Sequence, residues 1–204
     1  MGIAQLELIG GFACLDFVNT AGDHLSDQPG EWLLTYRDLL TWARRAGILA
    51  DSEALQLEQQ AGERPEAAGE ALARAIAMRE AIYHLFLSVI RQQAPDSSDL
   101  AAFNRALAGA PPRSGVIHRE GAYQWQFSTR GTVNLDGVLW RLLWGAADLL
   151  TSDRLAQVKL CAGEDCGWLF LDASRNQSRR WCSMSDCGNR AKAKRYYRRH
   201  KDAV

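Results

Sequence analysis

The chain has 204 residues, 47% of them hydrophobic, and its 24 Lys and Arg balance 24 Asp and Glu. That apolar content is enough for a real core and excludes a disordered chain. No Lys or Arg precedes Arg37, and Asp16 interrupts the apolar stretch from Ile9 to Val18. No run reaches the roughly 20 apolar residues of a spanning helix, so the expectation is a soluble, cytoplasmic protein without a secretory signal.

Residues 4–20 read as a short strand or turn leading into a brief helix from about Phe12, followed by a Gly-, Asp-, Ser- and Pro-rich loop over 21–30. From Glu31 to Ala46, Leu33, Tyr36, Leu40, Ala43 and Gly47 recur at spacings of three and four, which predicts an amphipathic helix ending at glycine. A short helix over 52–61 follows. The segment 66–93 carries two adjacent apolar stripes, Leu72, Ile76, Tyr83, Phe86, Ile90 and Ala75, Met78, Ile82, Leu85, Val89, and is expected to be the central helix. Pro95 stops it, and Asp96 or Ser97 can cap the next helix, whose inner face is Leu100, Phe103, Asn104 and Leu107. Val116–His118 and Tyr123–Phe127 predict a β-hairpin around Glu120-Gly121, with Trp125 and Phe127 expected in the core. A last helix spans about 134–150, and Ser152-Asp153 marks a boundary between a helical domain, 1–152, and a C-terminal domain, 153–204.

The neutral total hides a division. Residues 1–173 hold 14 Lys and Arg against 22 Asp and Glu, whereas 174–204 hold 10 against 2. An acidic body with a basic arm points to a polyanionic partner. Four of the five cysteines stand in that arm's half as Cys161-x4-Cys166-x15-Cys182-x4-Cys187. In a reducing compartment, two close pairs separated by a loop are metal ligands rather than disulfides. Four thiolates satisfy zinc's tetrahedral preference and leave no position for water, so the expected ion is one structural Zn2+. Trp168–Asp172 and Arg179–Cys182 can pair as strands around the turn 173–178, and a helix opens at about Cys187, which together make a treble clef. At about 100° per residue, that helix sets Asn189, Ala193, Tyr196, Tyr197 and His200 on a side suited to packing on the hairpin. Arg190, Lys194, Arg198 and Lys201 line a second side, with Lys192, Arg195 and Arg199 beside them. These cations suit phosphates, and Asn189 or Arg190 could reach base edges.

The string Cys182-Ser-Met-Ser-Asp-Cys187-Gly188-Asn189-Arg190, preceded by Phe170-Leu-Asp172 and Arg179-Arg-Trp181, resembles the CGNR zinc finger family. Cys14-Leu-Asp-Phe-Val-Asn-Thr20 and Arg79-Glu-Ala-Ile82 resemble the ABATE domain, found with that finger in bacterial proteins described as stress-induced transcription regulators. The resemblance implies a DNA-binding finger on the four cysteines and a helical domain that senses a ligand or a partner.

Arg79 lies on the stripe of Leu72, Ile76, Tyr83 and Phe86, so a cation is expected inside. Asp16 and Asn19 could supply its partner, either as an internal ion pair or as the floor of a small-molecule pocket walled by Trp32, Trp42, Trp140 or Trp144. His24, His84 and His118 have no catalytic spacing, and Cys14 reads as a buried thiol, so no enzyme is expected. The fold class is therefore mainly α: a helical N-terminal domain with one hairpin and a treble-clef finger. The expected function is a DNA-binding transcriptional regulator, modulated through its N-terminal domain by an effector or by homodimerisation. An RNA-binding or protein-docking zinc module stays open, as does an enzyme with an appended structural finger.

Overall fold

The computed structural model describes residues 2–119, 121–128 and 133–201. In chain order, a 3-10 turn at Ile3–Gln5 precedes α1 (Ala13–Val18), the short strands β1 (Ala21–Gly22) and β2 (Gly30–Glu31), α2 (Tyr36–Arg45) and α3 (Asp51–Glu63). Then come α4 (Pro65–Ile90), α5 (Ser97–Gly109), the hairpin β3 (Arg113–Arg119) and β4 (Ala122–Phe127), and α6 (Gly137–Leu150). After a 3-10 turn at Asp153–Gln157 the chain adds β5 (Val158–Leu160), β6 (Leu169–Leu171), a π-turn at Met184–Gly188 and α7 (Asn189–Lys201). The strands form three antiparallel pairs, β1-β2, β3-β4 and β5-β6. The mainly helical expectation is met, and no described helix is long and apolar enough to cross a membrane.

Local chemistry sets the ends. The helix predicted from Glu31 starts five residues later, because Thr35 and Asp38 form a reciprocal capping box and Glu31 is taken into a strand. Such a cap stabilises a helix by about 1 kcal/mol. Pro65 opens α4 at a position where its missing N–H costs nothing, and the Asp96 carboxylate accepts from the backbone of Ser98 and Asp99 to start α5.

Two apolar clusters share α4 as their spine. One packs Phe17, Leu33, Leu39, Trp42 and Leu57 on the first turns of α4, with the Phe17 and Trp42 rings 5.3 Å apart. The other brings Cys14, Leu15, Val18, Ile82, Phe86, Leu143 and Leu149 together with Val158, Leu169 and Leu171. Each fully buried side chain of this size contributes about 1.5–3 kcal/mol, so β5 and β6 share a core with α1, α4 and α6.

The predicted hairpin forms, with Val116 opposite Trp125 and His118 opposite Tyr123; Glu120, in its turn, lies outside the described residues. Its aromatics do not enter the core. Trp125 is half exposed because the Arg113 guanidinium sits between its ring, at 4.7 Å, and that of Trp144, at 4.9 Å. Phe127 is half-buried, with Arg141 over its ring.

The second strand pair near the cysteines also differs from expectation. β6 pairs with β5, Val158 opposite Leu171 and Leu160 opposite Leu169, and 179–182 is not a strand. The first two cysteines thus sit in the connection between β5 and β6. Residues 179–182 touch it through Ala162, whose N–H donates to the Arg180 carbonyl at 2.9 Å.

Candidate metal centre and nucleic-acid interface

The two cysteine pairs converge from unlike elements. Cys161 and Cys166 flank the knuckle between β5 and β6; Cys182 precedes the π-turn and Cys187 lies within it, two residues before α7 begins. All four are buried, and their sulfurs lie within 4.8 Å of one another. The Cys166–Cys182 and Cys182–Cys187 sulfur separations are both 3.6 Å. A tetrahedron with Zn–S bonds of about 2.3 Å has edges of about 3.8 Å, so the donor set fits zinc by both chemistry and spacing. With four protein ligands the centre is structural, holding the knuckle to the start of α7.

The surroundings are built for a thiolate cluster. Backbone N–H groups of Cys182 (3.2 Å) and Gly163 (3.4 Å) donate to Cys161 Sγ. Arg190 Nη2 donates to Cys187 Sγ at 3.1 Å while its guanidinium pairs with Asp186. Thiol contacts from Cys166 and Cys182 push Cys161 toward the thiolate, and the same crowding pushes Cys182 up; a divalent cation lets all four ionise together. A Cβ on Gly163 would stand 3.1 Å from Cys166 Cβ and 3.2 Å from Cys187 Sγ, so a side chain there would crowd two of the ligands. Asn189 Nδ2 donates to the Ser185 carbonyl at 3.0 Å. Asn189 and Arg190, expected at base edges, are thus engaged in holding the π-turn and the metal centre.

Below the knuckle, Asp172 is buried and accepts from Lys159 Nζ at 2.7 Å and from the backbone N–H groups of Ser174 and Arg179. Burial would raise its pKa, but these donors hold it well below the usual carboxylate range. The bonds fix the loop 173–178 that carries the chain to the second cysteine pair.

Residues 157–200 match the CGNR zinc finger model, and residues 11–153 match ABATE, described as "Putative stress-induced transcription regulator". The chain belongs to the ABATE family. No curated protein matches it by sequence. Neither matched family is an enzyme family.

The CGNR finger is fastened to the ABATE body by Asn19, the motif residue that caps the C-terminal end of α1, and by the segments flanking that helix. Asn19, fully buried, donates to the Leu169 carbonyl (2.8 Å) and accepts from the Leu169 N–H (2.9 Å), so its amide pairs with β6 as a strand residue would. Leu171 N–H donates to the Gly10 carbonyl at 2.8 Å, and Trp168 Nε1 donates to the Ala21 carbonyl at 2.9 Å. The N–H groups of His24 and Leu25 donate to the knuckle carbonyls of Cys166 and Asp165. Gly167 has φ of 65°, and a Cβ there would lie 2.7 Å from His24 Cβ, which is how closely body and finger approach.

Asp16, Asn19 and Arg79, expected to meet, do not. Asp16 Oδ1 accepts from the Gly10 N–H at 2.7 Å, and burial raises its pKa to about 6. Asn19 faces the finger. Arg79, 3% exposed, is bound in bidentate fashion by Glu31 (2.8 and 2.7 Å), with Glu80 at 2.8 Å and Thr20 at 3.2 Å. Desolvation would lower its pKa, but Glu31 and Glu80 keep the cation favoured. The apolar periodicity that predicts a helix from Glu31 hides this role; the signal for it is an acidic residue beside the Pro29-Gly30 loop together with a cation on the central helix. A cavity of about 270 Å³ beside Arg79 is lined by His24, Glu31, Glu80, Tyr83 and His84, and by none of the four tryptophans expected as walls. Trp42 is instead core, and Trp144 Nε1 donates to the Pro111 carbonyl. Cys14 is buried, and burial pushes its thiol up to about 12, as befits an inert packing residue.

On α7, Tyr196 and Tyr197 are 59% and 71% exposed rather than packed on a hairpin, because β5-β6 has its apolar face committed to α1 and α4. Lys194 pairs with Glu164 of the knuckle. Lys192, Arg195 and Arg198 are exposed, with no ion pair among the described residues; the Arg199 side chain lies outside the described residues.

Proposed function

We propose that the protein is a DNA-binding transcriptional regulator in which zinc presents the cations of α7 to phosphates. The observation that carries this reading is that Lys192, Arg195 and Arg198 stand exposed, with no ion pair among the described residues, on a helix anchored by the metal centre. Charges held on a rigid scaffold release counterions from a polyanion without a large ordering cost. Arg190 and Asn189 belong to the scaffold, and Lys194 joins the contacts once Glu164 yields it.

The functional division falls near residue 152: residues 1–152 modulate and residues 153–204 bind. The tight fastening of β6 to Asn19 supports this, since any change at α1 or at the loop 21–31 moves the knuckle directly. The cavity beside Arg79 is a candidate effector site, and the half-exposed hairpin β3-β4 a candidate face for a second copy. Setting Asp16 and Asn19 aside as effector contacts leaves Arg79 with Glu31 and Tyr83 in that role.

The test is DNA binding by the zinc-loaded chain across a salt series, with a random DNA library to detect sequence enrichment. Affinity should fall steeply with salt, and Lys192→Ala, Arg195→Ala and Arg198→Ala should each lower the logarithmic slope by roughly 1. RNA of equal sequence bound more tightly than DNA would overturn the reading in favour of an RNA-binding module. Absence of binding to either at low salt would overturn it in favour of protein docking.

A further inference from the structure

A concave cleft of about 540 Å³ separates the knuckle from α7. Glu164 and Asp165 stand on its knuckle side, and Arg190, Lys194, Arg195 and Arg198 on its helix side. Its floor is Arg180 and Trp181, with the Arg180 guanidinium 5.3 Å from the centre of an indole that is only half-buried.

A helix enters the major groove by presenting a free flank about as wide as the groove itself, which is about 12 Å. The flank of α7 that carries Arg190, Lys194 and Arg198 is not free: the knuckle stands across it, close enough for Glu164 to pair with Lys194. A duplex cannot pass between them. One unpaired nucleotide can, since clefts of about 300–1,000 Å³ hold ligands of that size. An indole beside an arginine plane in a basic channel is the equipment that single strands require, because every base has a face to stack and every nucleotide a phosphate to neutralise.

We propose that this cleft seats an unpaired nucleotide of single-stranded DNA, its base on the Trp181–Arg180 floor and its phosphates against Arg195 and Arg198. The proposal rests on the DNA-binding reading above and names the form of DNA bound. Glu164 occupies the phosphate position when the cleft is free. Its pair with Lys194 is exposed on both sides, 54% and 63%, so an incoming phosphate displaces it at little cost.

The experiment measures affinity of the full-length, zinc-loaded protein for a single strand of about 12 nucleotides and for the duplex of the same sequence. The single strand should bind about tenfold more tightly or better. Trp181→Ala should weaken single-strand binding by about 5- to 100-fold with little effect on duplex, and Trp181→Phe should restore most of it. Glu164→Gln, a surface change that leaves the fold untouched, should tighten single-strand binding about two- to fivefold. Zinc content of one ion per chain in each variant confirms an intact finger. A duplex bound as well as or better than the single strand, with Trp181→Ala and Glu164→Gln silent, overturns the cleft proposal while sparing the DNA-binding reading. Failure to bind either form overturns both.

Discussion

The two halves of the finger are held by different forces. In β5-β6, Val158, Leu169, Phe170 and Leu171 are all buried, and β6 is bonded to Gly10 and Asn19 of the body. In α7 no residue from Asn189 to Arg198 is buried. One half belongs to the hydrophobic core and the other to solvent, and they are joined by the four sulfurs, with the Ala162–Arg180 backbone bond and the exposed Lys194–Glu164 pair beside them. Zinc therefore does little for the hairpin and nearly everything for the helix.

That contrast is open to direct attack. The largest effect should follow removal of zinc: stripping the ion with a chelator is expected to forfeit on the order of 10 kcal/mol of local stability. Far-UV circular dichroism should report the loss of about one helix and DNA binding should vanish, while the near-UV tryptophan signal and the main melting transition of the body persist. A single cooperative collapse of the whole chain would show that the halves are not distinct. Next in size is Asn19→Ala, which leaves the buried N–H and carbonyl of Leu169 without partners and should cost about 2–5 kcal/mol in urea unfolding. The variant should keep one zinc per chain, because none of the lost bonds touches a ligand sulfur.

The smallest predicted effect is a pH dependence. Asp16 has its pKa raised by burial to about 6 in the folded chain, against about 3.9 when unfolded. The folded state therefore binds the proton more readily, and this group adds stability as pH falls from about 6 to about 4, rather than removing it. Asp16→Asn keeps an acceptor for the Gly10 N–H and cannot titrate. The wild type should gain about 1–2 kcal/mol relative to this variant between pH 7.5 and pH 4.5, read as the difference of urea midpoints so that acid weakening of the zinc site cancels.

Much of this was legible in the sequence, and the failures share a cause. The cysteine quartet and the long helices repeat a local signal: ligand spacing, apolar periodicity or a capping residue. What local pattern could not give was who meets whom across the chain. β5 is three residues long and sits against a boundary, so the longer run at 179–182 looked the better partner for β6. Asp16 and Asn19 are one helical turn apart and invite a common role, yet one turns to Gly10 and the other to Leu169. Trp125 carries an apolar side chain on a strand, but Arg113 reaches it from the same hairpin and keeps it at the surface. The charge count was accurate and its availability overstated, since Arg190 and Lys194 are occupied by Asp186, Cys187 and Glu164.

The two bonds between Asn19 and Leu169 span 150 residues of sequence. A contact of that separation closes late, after both ends of the intervening chain exist and the first of them has found its place. The chain thus has closures of two lengths: the long one ties β6 to the residue that ends α1, whereas the cysteine quartet closes within the short stretch from Cys161 to Cys187. Without zinc the long closure would still join the body to β5-β6 while the short one would be lost, so occupancy of the cysteines decides whether the basic helix is held in place.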